Sequence, residues 1–147
     1  MSMKCYQMSK RSQMSTFETD IKAFHLKFQF HQLSVFDKRR LKARAAFIEE
    51  ERRELEAAIE SGNIEEVADA LVDVVYVALG TAYLLKLPFS ALWNEVHRSN
   101  MAKVRVPRAS ASKRKTRFDV AKPLGWKKPD IRKVLATALF CLQKPRN

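Results

Sequence analysis

Two groups of carboxylates carry the chemistry available to this sequence. Glu50, Glu51 and Glu54 stand in the order E-E-x-x-E, and Asp69 and Asp73 follow within Ala68-Asp69-Ala70-Leu71-Val72-Asp73-Val74-Val75. On a helix, Glu50 and Glu54 share one face about one turn, roughly 6 Å, apart. Glu51 stands three residues before Glu54, on the adjoining edge. Asp69 and Asp73 repeat the four-residue spacing, and Glu66 lies three before Asp69. An ionised carboxylate withdrawn from water costs on the order of several kcal/mol unless something compensates it. For the glutamate run alone, a solvated helix face with Arg52 and Arg53 as ion-pair partners is the better account. That account fails for Asp73, which sits between Val72 and Val74. Two carboxylate groups of matched spacing on successive helices therefore predict an all-oxygen cation site. Such ligands suit Mg²⁺ or Mn²⁺ and disfavour zinc. A di-iron bundle would want Glu-x-x-His pairs, and no histidine lies within three residues of these acids.

Helices must hold these groups. The chain has 147 residues with only three glycines and five prolines, which points to one all-α domain. A first helix is predicted from Phe17, capped by Ser15 or Thr16, with Ile21, Phe24 and Phe28 as its apolar stripe. The second runs from Asp37 or Lys38 to Glu60 and is expected to bury Leu41, Ala45, Ile48, Leu55 and Ile59. Gly62-Asn63 ends it. The third runs from Ile64 to about Lys86 and is apolar nearly all round, so it is either the most buried helix or one that also faces another subunit. The tight turn makes helices two and three antiparallel, with the two acidic faces opposed. Leu87-Pro88 breaks the third helix; a fourth helix runs from Phe89 to about Ala102, and Arg132–Leu142 forms a short last one. The expected organisation is a mobile tail over 1–15, a catalytic all-α domain over 16–104, a basic Pro/Gly-containing loop over 105–131, and a helix and tail over 132–147. The fold class is an antiparallel bundle of four to five helices, completed by oligomerisation because one copy cannot bury its own apolar surface. His25 and His31 read as packing or surface residues rather than ligands. Tyr76 reads as core, and Trp126 as a loop anchor or a cover for a base.

The net charge of +12 is uneven. Residues 1–102 hold 14 basic and 14 acidic residues, and residues 103–147 hold 14 basic and 2 acidic. A block of this kind favours polyphosphates or nucleic acid; a solvated, partly disordered segment over Arg105–Arg117 is the plain alternative. No secretory signal stands at the start, and the uncharged run Val74–Leu85 is too short to span a bilayer. Cys5 and Cys141 read as free thiols, and the expected compartment is the cytoplasm.

Three segments together resemble the MazG-like, phosphoribosyl-ATP-pyrophosphohydrolase-like branch of the all-α nucleoside triphosphate pyrophosphohydrolases. They are Phe47–Leu55, Glu66–Ala82 and Glu95-Val96-His97-Arg98-Ser99-Asn100-Met101-Ala102-Lys103, and the likeness extends upstream to Phe24–Phe28 and downstream to Lys122–Ile131, about three quarters of the chain. The resemblance implies Mg²⁺-dependent hydrolysis of a (d)NTP to a monophosphate and pyrophosphate, in a homodimer or homotetramer with sites near subunit interfaces. It implies metal ligands among Glu50, Glu51, Glu54, Asp69 and Asp73, with Glu51 as proton acceptor. It also implies Arg98 and Lys103 as phosphate contacts and Asn100 as a base or sugar contact. The family pattern places an acid three residues before the last aspartate, where this chain has Ala70. The second pair is thus Asp69 with Asp73, which mirrors Glu50 with Glu54, or Glu66 with Asp69. A nucleic-acid-binding protein using the basic segment ranks second, because no recognition helix or aromatic-rich sheet accompanies it. An inactive nucleotide-binding relative ranks third.

Overall fold

Local chemistry fixes the ends of the helices that carry the acids. Asp37 caps α2 (Lys38–Ser61) by accepting the Arg40 N–H. Gly62 closes it at φ 71°, a left-handed conformation that glycine adopts without steric cost. Asn63 then caps α3 (Ile64–Leu84), its side chain accepting from the N–H groups of Glu65 and Glu66. The Gly-Asn pair therefore stops one helix and starts the next. The predicted third helix ends two residues early. Lys86 takes φ 55°, and the Leu87 N–H returns to the Ala82 carbonyl.

The chain, a computed structural model, is described over residues 17–33 and 36–143, with the backbone alone for 139–143. The expectations for the tail over 1–15, for a Ser15 or Thr16 cap and for Cys5 lie outside these residues, as does the Cys141 side chain. The helical elements are α1 (residues 17–27), α2, α3, α4 (Phe89–Met101) and α5 (Ile131–Gln143), so the protein is all-α with one minimal hairpin. The chain divides between Leu87 and Pro88 into two compact units.

In the first unit α2 and α3 pack along their length. The inner stripe of α2 runs Leu41, Arg44, Ile48, Glu51, Leu55, Ala58, all at least partly buried, whereas Ala45 and Ile59 of the expected stripe are exposed. The spacing is regular, but two of its members are charged, so a search for apolar residues displaces it by one position. On α1 the buried pair is Ile21 and His25 rather than Phe24 and Phe28. Burial of the imidazole is compensated by a 2.8 Å hydrogen bond between Nδ1 and the Ile21 carbonyl. Phe24 lies further out, edge-on to Tyr76, and His31 is exposed. Gly80 makes the close approach of α1 to α3 possible. A Cβ there would stand 3.0 Å from His25 Cε1 and 3.1 Å from the Arg44 guanidinium. Gly80→Val is expected to destabilise the protein by about 1–3 kcal/mol, despite removing a helix-interior glycine; urea unfolding checks it.

α3 is long and apolar enough to cross a membrane by length and composition. It packs along α2, and its apolar run is interrupted by Asp69 and Asp73, as befits a bundle helix. Yet only Ala70, Gly80 and Ala82 of it are buried. Leu71, Val72 and Val75 are 51%, 62% and 53% exposed.

In the second unit α4 leads into a two-residue antiparallel ladder, β1 (Val104–Arg105) and β2 (Val120–Ala121), with Val104 opposite Ala121. The intervening residues include a 3₁₀ turn at Ala109–Ala111. Asp119 organises them. Its carboxylate accepts from the Ser112 hydroxyl at 2.6 Å, the Arg114 guanidinium at 2.7 Å and the Val120 N–H at 2.8 Å. These donors, the Ser112 hydroxyl first, hold its pKa below the usual carboxylate range. Trp126 anchors the following loop by donating from Nε1 to the Ser99 carbonyl at 2.8 Å, and the fully buried Ser99 hydroxyl donates back to the Lys127 carbonyl.

Candidate active site

Of the three glutamates in the E-E-x-x-E run, Glu51 is the one the fold half-buries. It occupies a seam position on α2 between Ile48 and Leu55, and on α3 Asp73 is likewise half-buried. Antiparallel packing turns these two seams toward each other. Burial raises the Glu51 pKa, and the charges of Glu54, Asp73, Glu50 and Asp69, in that order, raise it further. Glu51 therefore sits in the combined negative field of all four other acids singled out by spacing. Glu50, Glu54 and Asp69 are exposed on the flanks of the seam.

The arginines next to these acids do not neutralise them. Arg52 pairs with Glu49 at 2.7 Å and with Glu56, and Arg53 pairs with Glu49 at 3.1 Å. Hydrogen bonds from Arg52 are the main reason the Glu49 pKa falls to about 2. Among the described residues, Glu50, Glu51, Glu54, Asp69 and Asp73 form no ion pair with lysine or arginine. The solvated-face account fits Glu49 and Glu56, not the group around Glu51. Glu66 lies near the α2–α3 turn, where it accepts from the Ser61 hydroxyl at 3.3 Å, and it is absent from the charges that act on Glu51.

The donor set is all carboxylate oxygen, which fits a hard divalent cation. The side chains nevertheless do not close into a cage. No three His, Cys, Asp or Glu among the described residues converge as a ready-made metal site. Mutual repulsion of unpaired carboxylates opposes such closure.

Arg44, on the same seam, fixes how α2 and α3 are aligned. It donates from Nε to the Thr81 hydroxyl at 3.1 Å and from a terminal nitrogen to the Val77 carbonyl at 2.9 Å. Partial burial lowers its pKa from the ordinary arginine value. No motif signals this residue; only its place in the 3–4 spacing of the seam would have found it. Beside it is a cavity of about 510 Å³ lined by His25, Phe30, Leu41, Arg44, Phe47 and Leu84, among others. Phe47 and Glu51 are four residues apart on α2, so the cavity and the acid row lie about one helical turn apart.

The remaining candidates lie in the second unit. Arg98 is held by Glu95, with contacts of 2.7 and 2.9 Å, and Glu95 also accepts the Asp130 N–H at 2.8 Å. The Arg98 hydrogen bonds, then the Asp130 N–H, bring the Glu95 pKa to about 2. Lys103 Nζ donates to Asn100 Oδ1 at 2.7 Å and lies 5.8 Å from the Trp126 ring centroid. Arg98 is thus already satisfied, whereas Asn100 and Lys103 form a neutral–cationic pair.

A sequence model described as phosphoribosyl-ATP pyrophosphohydrolase matches residues 21–100, which takes in the later part of α1, all of α2 and α3, and nearly all of α4. No curated protein matches the chain.

Proposed function

The chain belongs to the phosphoribosyl-ATP pyrophosphohydrolase family, within the MazG-like all-α superfamily, and from this premise we propose that it hydrolyses (d)NTPs to monophosphate and pyrophosphate with Mg²⁺. The family supports a pyrophosphohydrolase acting on nucleotide phosphoanhydrides and is typically dependent on a divalent metal. The observation that carries the finer reading is Glu51, half-buried and pushed up in pKa among four other carboxylates.

Glu50, Glu54, Asp69 and Asp73, together with Glu51, are the residues that would hold the metal. When bound, Mg²⁺ supplies charge neutralisation for the polyphosphate and a more acidic water. The Glu51 carboxylate, with its raised basicity, receives a proton from the attacking water. The cavity beside Phe47 and Arg44 offers apolar and aromatic walls to a base, with a polar rim to orient it. Asn100 and Lys103 are assigned to sugar or base and to phosphate on their sequence pattern alone.

We further propose that the functional species is at least a dimer. The exposed Leu71–Val72–Val75 surface of α3 belongs to the helix that carries Asp69 and Asp73, and a second copy is the occupant that would supply an equal apolar face.

A panel of NTPs, dNTPs and phosphoribosyl-ATP with Mg²⁺, scored for pyrophosphate, tests the reaction. Pyrophosphate from several nucleoside triphosphates is the expected result. Turnover of phosphoribosyl-ATP alone would replace the substrate assignment, and no turnover of any compound would identify an inactive relative.

A further inference from the structure

We propose that the second unit binds single-stranded nucleic acid through its hairpin, with Arg105 and Arg117 seating a backbone phosphate and Phe118 stacking on a base. This inference is independent of the hydrolase reading. Between Lys103 and Lys133 the chain carries twelve lysines and arginines against Asp119 and Asp130. The Val104–Ala121 ladder and the Asp119 hydrogen bonds tie the hairpin together, so its charges are displayed on a built surface. Asp119, the single acid of the hairpin, is turned inward onto Ser112, Arg114 and Val120, and its side chain is 7% exposed. Its charge is absorbed within the loop, and the field outside is left positive.

A small cavity of about 300 Å³ is lined by Arg105, Val106, Pro107 and Arg117. Among the described residues neither arginine has an acidic partner. Two guanidinium groups on one cavity match phosphate oxygens by charge-assisted, bidentate geometry. Phe118 follows Arg117 directly and is 95% exposed. A positive groove with an exposed ring describes how single strands are held without sequence preference: phosphates on the cations, bases on the ring. A duplex would hide the base faces that the ring needs, so the single strand is the form selected.

The test is fluorescence anisotropy of the full chain with a labelled oligo-dT of about 20 nucleotides, several times the smallest single-strand site, over a range of salt. A blunt duplex of equal length and phosphatidylserine vesicles are the comparison ligands. Single-strand binding that weakens steeply with salt is expected. Arg105→Gln with Arg117→Gln should lower affinity at least about tenfold and flatten the log–log salt slope by about 0.7, the value for one single-strand phosphate contact. Phe118→Ala should weaken binding by about tenfold with the slope unchanged, as loss of stacking requires. Glu51→Gln should bind as the parent does. Melting temperatures of the variants within a degree or so of the parent would exclude misfolding, which these exposed positions make the expected result. The proposal is overturned if no oligonucleotide binds, if the arginine pair leaves affinity and slope unchanged, if the duplex binds as tightly as the single strand, or if only the vesicles bind.

Discussion

Glu51→Gln lowers kcat by about 10²–10⁴-fold, the range expected when a positioned general base is removed, while the fold persists. The same substitution makes the metal-free protein more stable near neutral pH. The sign follows from the direction of the shift. A carboxyl whose pKa is raised on folding is protonated more readily in the native than in the unfolded state. Native stability therefore falls as pH rises from the unfolded pKa of about 4.3 through the raised native value. Above that window the full cost of the charge is present, desolvation first and then repulsion from Glu54, Asp73, Glu50 and Asp69. Glutamine removes it, so the stability gain is largest above the window and vanishes below it. Thermal melting of parent and variant at several pH values, in chelator, checks this. Added Mg²⁺ should reverse the order, because the parent gains more from the cation. Glu49→Gln is the control: Glu49 is occupied by Arg52 and Arg53, and its loss should leave turnover within about twofold, as for a surface change. A variant at Glu49 as damaging as that at Glu51 would mean that the seam position does not matter.

Val72→Asp should give a monomer at micromolar concentration where the parent sediments as a dimer or larger. Val72 lies 62% exposed between Leu71 and Val75, also exposed. Burying one such side chain stabilises an interface by about 1.5–3 kcal/mol, and an unpaired carboxylate in its place costs several kcal/mol more. A two-fold axis applies the change twice. At about 1.4 kcal/mol per factor of ten, dissociation strengthens by about 10⁴-fold or more. Sedimentation or light scattering reads the mass directly. A parent that is monomeric at high concentration would remove the premise.

Much of the scaffold was legible from local signals. Gly62-Asn63 announced the α2–α3 turn, Leu87-Pro88 the break before α4, and paired four-residue spacings the facing acids. What escaped was the inner stripe of α2. Arg44 and Glu51 are polar, so a search for apolar residues passed over them and settled on Ala45 and Ile59, both exposed. His25 was likewise displaced by Phe24 and Phe28, because its burial depends on a carbonyl one turn back and on the missing side chain of Gly80. The fold of residues 105–117 was hidden for another reason. The Asp119 latch joins residues with no periodicity, and the composition around it resembles a disordered tail.

Arg44 has a consequence for how α2 and α3 can move. Its fork grips the Val77 carbonyl and the Thr81 hydroxyl together, which locks the two rods against sliding past one another. A ratchet-like slip of one turn would break both bonds at once and leave a partly buried guanidinium without them. The grip therefore holds α2 and α3 in one axial register, one turn and more along the helices from Glu51 and Asp73.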